Sequence, residues 1–428
     1  MRLCLVASKP TDSVIFGFLP AAARLGLDVV LLTDKPDEHE QARARARRLP
    51  RPGCAPPDAG HPAGAARAQA VPVRIVRCDV WDARQLIAAI AALPSPDAIF
   101  SNSDHLQAQA ALAAEYFGLP GKDWRSAMRA KNKSLMRRRL AETGTERVAT
   151  AELRPGASHP PRGLSYPVVL KPAEGVASED VMLVRDAAEL AERSAQVLAR
   201  RPGETLVAEE YLPGGLRTLE TLGDGRTTWV LGGFRTRLSP LPFFIEERLT
   251  WDASVPPAAR EHVLGALAAL GATFGACHTE YAEVERGPAL IEVNDRLIGD
   301  HGDFLLSDLL GVDIFELVLR VHLGQPLPPG PPPSPGGGDA HAIIDYVVAD
   351  RPGVLAAAPP AQGRRDAERG VTLTYRPLRE VGERIELTRT NRDYLGETCA
   401  IGADPAAVEL SVADMRAAGN WEITEPRP

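Results

Sequence analysis

The sequence predicts a multidomain protein of mixed α/β and α+β class. It is read as an open α/β N-terminal domain, a central domain with a small lid subdomain, and a β-rich C-terminal domain. Three observations lead there. The chain has 428 residues, too many for one ordinary core. Its first part alternates short β-rich runs with helical patterns, as parallel α/β units do. A Pro- and Gly-rich stretch at 326–340 separates two further regions of different pattern.

Taken in order, Leu3 to Val6, Val29 to Leu32, Val73 to Val76 and Ala98 to Phe100 read as buried parallel strands. Val14 to Leu25 and Leu86 to Leu93 read as helices, with Gly17 and Pro20 interrupting the first. His105 to Phe117 carries apolar residues at 106, 110, 113 and 117 and stops at Gly118, a residue suited to a helix C-cap. These elements make up a domain over 1–125. No GxGxxG follows the first strand, so a dinucleotide site is not expected there. Arg43 to Ala70 is rich in Ala, Arg, Pro and Gly without periodicity and reads as an insertion or disordered loop. The central domain covers 126–325, with its lid at 145–215. Beyond the linker, 341–428 carries strand-like runs at Ala342 to Val348, Val371 to Tyr375 and Arg384 to Thr388, then a helix near Pro405 to Ala418.

Composition narrows the function classes. With 49 basic and 56 acidic residues the net charge is −7, which argues against a general nucleic-acid or anionic-membrane binder. No run approaches the roughly 18 apolar residues of a membrane span. The apolar start at Leu3 is followed at once by Ser8, Lys9 and Pro10, too short for a signal peptide. The five cysteines are scattered and lack CxxC spacing, which suggests a reduced compartment and no structural zinc. A cytoplasmic location is the expectation.

The chemistry is sought first in an acidic hairpin. Cys277 to Val284 and Pro288 to Asn294 are strand candidates joined by a three-residue turn at Glu285, Arg286 and Gly287. If Val284 pairs with Pro288, Glu280 falls opposite Glu292 and His278 opposite Asn294, all on one face. Facing like charges cost roughly 0.2–1 kcal/mol unless a cation compensates, and carboxylates with an amide oxygen suit magnesium. Arg296 adds a positive charge beside them. A solvated, salt-bridged hairpin is the competing reading.

Tyr166 to Pro172 is a buried-strand pattern ending in Lys171, a placement that is costly unless the lysine meets an anion such as polyphosphate; taken alone it reads rather as a lysine that snorkels out to water. The loop Ala173 to Asp180 follows and offers N–H groups for a phosphate cradle. Lys133 opens a basic helical run that taken alone reads as a solvated face. Val207 to Leu212 reads as a strand running into a Pro-Gly-Gly turn.

In this order the motifs resemble the ATP-grasp superfamily, and the resemblance covers nearly the whole chain. Tyr116-Phe-Gly-Leu-Pro-Gly121 is similar to the ending of its pre-ATP-grasp domain. Asn132-Lys-Ser-Leu-Met-Arg137 resembles its "DK…MR" element and Pro167 to Pro172 its "P-hydrophobic-KP" strand, which implies phosphate contacts for Lys133 and Lys171. Glu209 to Gly214 matches "EEYL.G", implying that Glu209, Glu210 and Leu212 line the adenine pocket. His278-Thr-Glu280 and Leu290-Ile-Glu-Val-Asn-Asp-Arg296 resemble "HTE…LIEVNDR", which implies metal ligation by Glu280, Glu292 and Asn294 and a catalytic place for Arg296. The gripping loop departs from the family. It reads Ala-Glu-Gly-Val-Ala-Ser-Glu-Asp, where relatives are commonly rich in Gly and Ser, and only Gly175 and Ser178 fit. A ribose-binding acid is not in its usual place near Leu216; Glu220 is the nearest.

Within the superfamily the chain looks most like carboxylate–amine ligases, such as L-amino-acid (dipeptide) ligases and ATP-grasp enzymes of siderophore assembly. Phe243-Phe-Ile-Glu246 resembles their acceptor-site segment, and Asn391 to Gly396 and Ile401 to Asp404 their β-rich closing domain. The resemblance implies ATP with two Mg2+ ions (Mn2+ as a substitute), an acyl-phosphate intermediate, and small carboxylate and amine substrates. Glu246, Asp300 and His301 are the substrate candidates, with Asp303 capping a following helix as the bland reading of that run. A homodimer is among the expected states. The alternatives are a biotin-carboxylase-type carboxylase, a carboxylate kinase, and a non-catalytic nucleotide-binding regulator.

Overall fold

The computed structural model describes residues 1–47, 49, 51–54, 72–153, 163–330 and 340–425. β1 (Arg2–Val6) is apolar from Leu3 onward and is buried on both faces. A π-type turn at Ser13–Phe18 leads into α1 (Leu19–Arg24), so the helix expected at 14–25 is split. Pro20 sits where the π-type turn passes into α1, in the first turn of that helix. β2 (Asp28–Thr33), α2 (Pro36–Ala46), β3 (Val73–Arg77), α3 (Ala83–Ala91), β4 (Ala98–Phe100) and α4 (Gln107–Tyr116) complete the domain. Its four strands are parallel in the order β3-β2-β1-β4. Gly118, at φ +66°, ends α4 as a left-handed cap. Arg43 to Ala46 belong to α2, which corrects that end of the expected loop; residues 55–70 of it lie outside the described residues.

Gly17 shows how tightly this domain meets the centre. A Cβ there would lie 2.4 Å from the ring of Phe315, which packs against Phe18 and Phe304 with centroids 5.0 Å away in each case. The stack cannot yield without losing its edge contacts. Gly17→Ala is therefore expected to destabilise the protein by about 1–3 kcal/mol, read as a lower unfolding midpoint in urea. Phe315→Leu in the same chain should recover part of that loss.

The central region begins with α5 (Trp124–Lys131) and α6 (Lys133–Glu142), and Asn132 Oδ1 caps α6 by accepting from Leu135 N at 3.1 Å. β5 (Thr150–Leu153), β6 (Val168–Pro172), β7 (Met182–Val184), α7 (Ala187–Arg200) and β8 (Leu206–Glu210) form the lid. Its antiparallel sheet runs β5-β8-β6-β7 around a core that includes Val168, Leu170, Leu190 and Val197. Next come β9 (Gly215–Asp224), β10 (Thr228–Leu238), β11 (Glu246–Asp252), α8 (Pro257–Leu270), β12 (Phe274–Val284), β13 (Gly287–Asn294), α9 (Gly302–Leu310) and α10 (Ile314–His322). After the linker follow β14 (His341–Val348), β15 (Gly353–Ala357), β16 (Gln362–Asp366), β17 (Val371–Pro377), β18 (Arg384–Ile385), β19 (Tyr394–Gly402), α11 (Pro405–Ala418) and β20 (Glu422–Thr424).

One antiparallel sheet of nine strands, β13-β12-β9-β10-β11-β14-β19-β17-β16, crosses the linker between β11 and β14. β14, β16, β17 and β19 therefore extend the central sheet, while β15, β18 and β20 form a separate three-stranded sheet in the order β18-β15-β20.

Cys54 and Cys399 form a disulfide, at odds with the reduced compartment that the scattered cysteines suggest; Cys4, Cys78 and Cys277 are free. The bridge ties the stretch after α2 to β19. Beside it Cys54 N donates to Asp308 Oδ2 at 2.8 Å and Thr374 Oγ1 donates to Gly53 O at 2.9 Å. Among the described residues no helix is long and apolar enough to cross a membrane.

Candidate active site

The acidic hairpin forms, but by a different route from the expected one. Val284 pairs with Gly287, not with Pro288, around a two-residue turn. A one-residue bulge at Ile291, between the Tyr281–Leu290 and Glu280–Glu292 pairs, then shifts the register. Glu280 faces Glu292 and His278 faces Asn294 as the sequence predicts.

Their partners hold this face in place. Asn294 Nδ2 donates to Glu280 Oε1 at 3.2 Å, and Lys133 Nζ lies 3.1 Å from Glu292 Oε1. His278 does not bond Asn294. Its Nδ1 lies 2.7 Å from Glu220 Oε1 and its Nε2 3.5 Å from Glu280. Burial disfavours charge on His278, but Glu220 and then Glu280 prevail and raise its pKa to about 10. Glu220 also accepts from Thr218 Oγ1 at 2.8 Å and does not line the cavity beside this face.

Between this face and the lid lies a cavity of about 300 Å3. Lys133, Lys171, Gly175, Ser178, Glu209, Glu210, Leu212, Glu280, Glu292, Asn294 and Arg296 all line it, alongside Tyr211 and Leu216. β6 brings Lys171 in at its end, and Lys171 Nζ pairs with Glu209 Oε2 at 2.7 Å. The two lysines are 3% and 4% exposed, so each needs an anion beside it. The chain ties the gripping loop to α6, because Lys133 N donates to Ala173 O at 2.9 Å.

Arg137, read from sequence only as part of the "MR" element, is the hub beneath the pocket. Its Nε and Nη2 donate to the two oxygens of Glu209 at 3.0 and 3.1 Å, its Nη1 to Glu146 at 2.9 Å, and its Nη2 to Leu290 O at 2.8 Å. Burial pushes the Glu209 carboxyl up, but Arg137 and Lys171 outweigh it and hold it down at about 2.

At the far end Glu246 and Asp300 line the cavity with Arg296, and so does Asn391 from the C-terminal region. Burial, then the charges of Glu280 and Asp300, push Glu246 up to about 8. His301 does not line it. Its two ring nitrogens bridge Asp12, at 2.9 Å, and Glu397, at 2.5 Å, so it joins the N-terminal domain to β19. Arg376 reaches the same Asp12 oxygen at 2.9 Å. Asp303 lies in the first turn of α9 with Oδ1 accepting from Phe304 N, and it too is outside the cavity. The pairing of His301 with Asp12 and Glu397 spans three regions and leaves no local pattern to read.

A four-stranded antiparallel lid over a long antiparallel sheet, with a lysine-lined cavity between them, defines the class: the chain has the ATP-grasp fold. The crystal structure of an L-amino acid ligase from Bacillus licheniformis matches it over 99% of each chain, with a TM-score of 0.74 and 21% identity. Among curated proteins it is 32% identical over 223 residues to the uncharacterized protein y4rH of Sinorhizobium fredii, covering 49% of this chain and 45% of that one. It is 22% identical over 264 residues to dapdiamide A synthase of Enterobacter agglomerans, covering 59% of this chain and 61% of that one. The chain thus matches less than two thirds of the length of either curated relative. No family model matches it.

Proposed function

We propose that the chain is an ATP-dependent carboxylate–amine ligase that makes an amide bond through an acyl phosphate. One observation carries the reading: Lys133, Lys171, the Glu280–Glu292 pair, Asn294 and Arg296 converge on one cavity beneath the lid. The name of one similar structure, an L-amino acid ligase, supports amino acids as the substrate class. Peptide-type or siderophore-type secondary metabolism is the setting, with the cytoplasm as its location and a homodimer as the assembly to test.

A carboxylate oxygen attacks the γ-phosphorus of ATP and ADP leaves. The amine nitrogen then attacks the acyl carbon, phosphate leaves, and the nitrogen gives up a proton. Lys133 and Lys171 balance the phosphate charge in the first step, which depends on positioning and neutralisation. Arg296, which lines the same cavity, stabilises the acyl phosphate and then the tetrahedral oxyanion. Glu246 holds the ammonium of the incoming amine and takes the proton it must lose before the nitrogen attacks. The lid keeps out water that would hydrolyse the intermediate.

The donors on the acidic face fit magnesium, or manganese in its place. Glu280 and Glu292 are opposed across the hairpin and Asn294 adjoins them, an oxygen-rich set once the amide is turned. Two ions held there would supply charge neutralisation along the phosphates.

The test offers ATP, Mg2+ and a panel of amino acids pairwise, and measures phosphate release with mass spectrometry of products. Phosphate and amide appearing in equal amounts supports the ligase. ADP with a carboxylate alone, trapped as a hydroxamate without any amide, would replace it with a carboxylate kinase. Turnover that requires bicarbonate would replace it with a carboxylase.

A further inference from the structure

The gripping loop contains three acids, Glu174, which accepts from Asn132 Nδ2 at 2.8 Å, and the adjacent Glu179 and Asp180, where a phosphate-binding loop gains nothing from negative charge. Their placement accounts for them. Gly175, Val176, Ala177, Ser178 and Val181 line the cavity, whereas Glu179 and Asp180 do not. Ala177, Ser178 and Asp180 hold φ near +55°, a left-handed conformation rare outside glycine that surrounding contacts must maintain. In this backbone the loop turns its inner residues to the pocket and its acids outward.

Glu179 and Asp180 are held by arginines. Arg201, just beyond α7, reaches Glu179 at 2.8 Å and Asp180 at 3.0 Å, and Arg200 reaches Asp180 at 2.5 Å. These pairs lie within the lid. Arg392, from the turn before β19, also pairs with Glu179, and this contact joins the lid to the C-terminal region. Burial raises the Glu179 carboxyl, but the bonds from Arg201 and Arg392 prevail and lower it.

One more bond crosses the same boundary, and a second ties the same residue to the central sheet. Asn391 N donates to Ala177 O at 3.2 Å, and Asn391 Oδ1 accepts from Glu246 N at 3.1 Å. Ser178 Oγ donates to Phe244 O at 2.9 Å, from the loop ahead of β11. The turn that supplies Asn391 and Arg392 is itself rigid. The Asp393 carboxylate accepts from Thr388 N, Thr388 Oγ1 and Arg389 N at 2.9, 2.6 and 2.7 Å. Tyr394 OH donates to Glu246 O at 2.7 Å and fixes the next residue to the same strand.

The geometry points to a latch: the Asn391–Arg392 turn holds the gripping loop closed through Ala177 and Glu179, and the same Asn391 positions the Glu246 end of the pocket. Arg392 and Glu179 are positioning residues; neither touches the cavity. The latch rests on the nucleotide-pocket reading only for its effect on turnover; the contacts themselves hold whatever reaction the pocket performs. It also explains the loop's sequence. A Gly- and Ser-rich loop relies on N–H groups alone, while this loop is clasped from outside by its acids.

The test is hydrogen–deuterium exchange of the full chain, with and without ATP and Mg2+, in Arg392→Ala and in Glu179→Gln. Amides of residues 174–181 should exchange about threefold faster or more in each variant, as for loss of one partly exposed charged contact. Amides of β14 and β19 should keep the parent rate. The second readout is coupling: phosphate released per amide formed should rise in both variants, with the KM for ATP raised more than kcat is lowered. Arg392→Lys should recover part of the loop protection. If Arg392→Ala loosens β19 as well, Glu179→Gln decides from the loop side. Loop exchange at the parent rate in Glu179→Gln overturns the latch. Faster loop exchange in a chain that makes no amide keeps the latch and removes the ligase reading.

Discussion

Glu292→Gln is expected to lower ATP-dependent turnover by about a hundredfold to a thousandfold, equivalent to roughly 3–4 kcal/mol of lost transition-state stabilisation. Glu292 faces Glu280 across the hairpin and contacts Lys133 at 3.1 Å, so it serves both the proposed metal and the proposed phosphate lysine. Glutamine is chosen because alanine would leave Lys133, 3% exposed, without an anion and confuse a folding defect with a chemical one. The amide keeps shape and one acceptor oxygen but removes the charge that a hard cation needs. A magnesium titration separates the roles. Loss of a ligand should move the half-saturating Mg2+ concentration upward and leave partial rescue at high magnesium. Loss of phosphate positioning alone should raise the KM for ATP at every magnesium level. Parent-like turnover at all magnesium concentrations would end the metal assignment at this position.

Much of that site was legible because its geometry is local. Glu280, Glu292, Asn294 and Arg296 lie within one hairpin and its exit, where a period of two places alternate residues on one face. Even so, the expected anchor pair was off by one, and the bulge at Ile291 restored the facing acids; nothing in the local pattern announces a bulge. The parallel strands of the first domain and the helix at Pro405–Ala418 were equally readable, since apolar runs, breakers and a capping aspartate bound them. What was not legible is whatever the fold brings together from afar. Cys54 and Cys399 are 345 residues apart and share no motif. The bridge from Asp12 through His301 to Glu397 joins three regions whose sequences carry no sign of one another. The Arg392–Glu179 contact belongs to the same kind. A linker rich in Pro and Gly suggested a separate closing domain, yet β11 pairs with β14 across it, because edge hydrogen bonds do not depend on the connecting chain.

Arg137→Ala is expected to destabilise the lid and hairpin by about 3–5 kcal/mol, the usual consequence of removing one partner from a buried charge network. From sequence Arg137 was one of three consecutive arginines on a helix, a pattern that favours a solvated face. In the fold it is 5% exposed and satisfies Glu209, Glu146 and the Leu290 carbonyl at once. Without it Glu209 keeps Lys171 and Glu146 keeps His262 at 2.7 Å, but each loses its bond to the guanidinium. Lysine in its place would not restore the fork that spans both Glu209 oxygens. The loss should also depend on pH. Glu209 is held at about 2 in the fold, against an ordinary value of 4.5. A carboxyl depressed in this way stabilises the fold fully above its unfolded pKa and loses that contribution as pH falls toward the folded one. The gap between the parent and Arg137→Ala should therefore be widest near neutrality and should narrow between about pH 4.5 and 2. Denaturant unfolding followed at several pH values measures it, with lid amide exchange to separate local from global opening. A gap that is the same at pH 7 and at pH 3 would mean that Arg137 acts through packing of its stem and not through the carboxylates it joins.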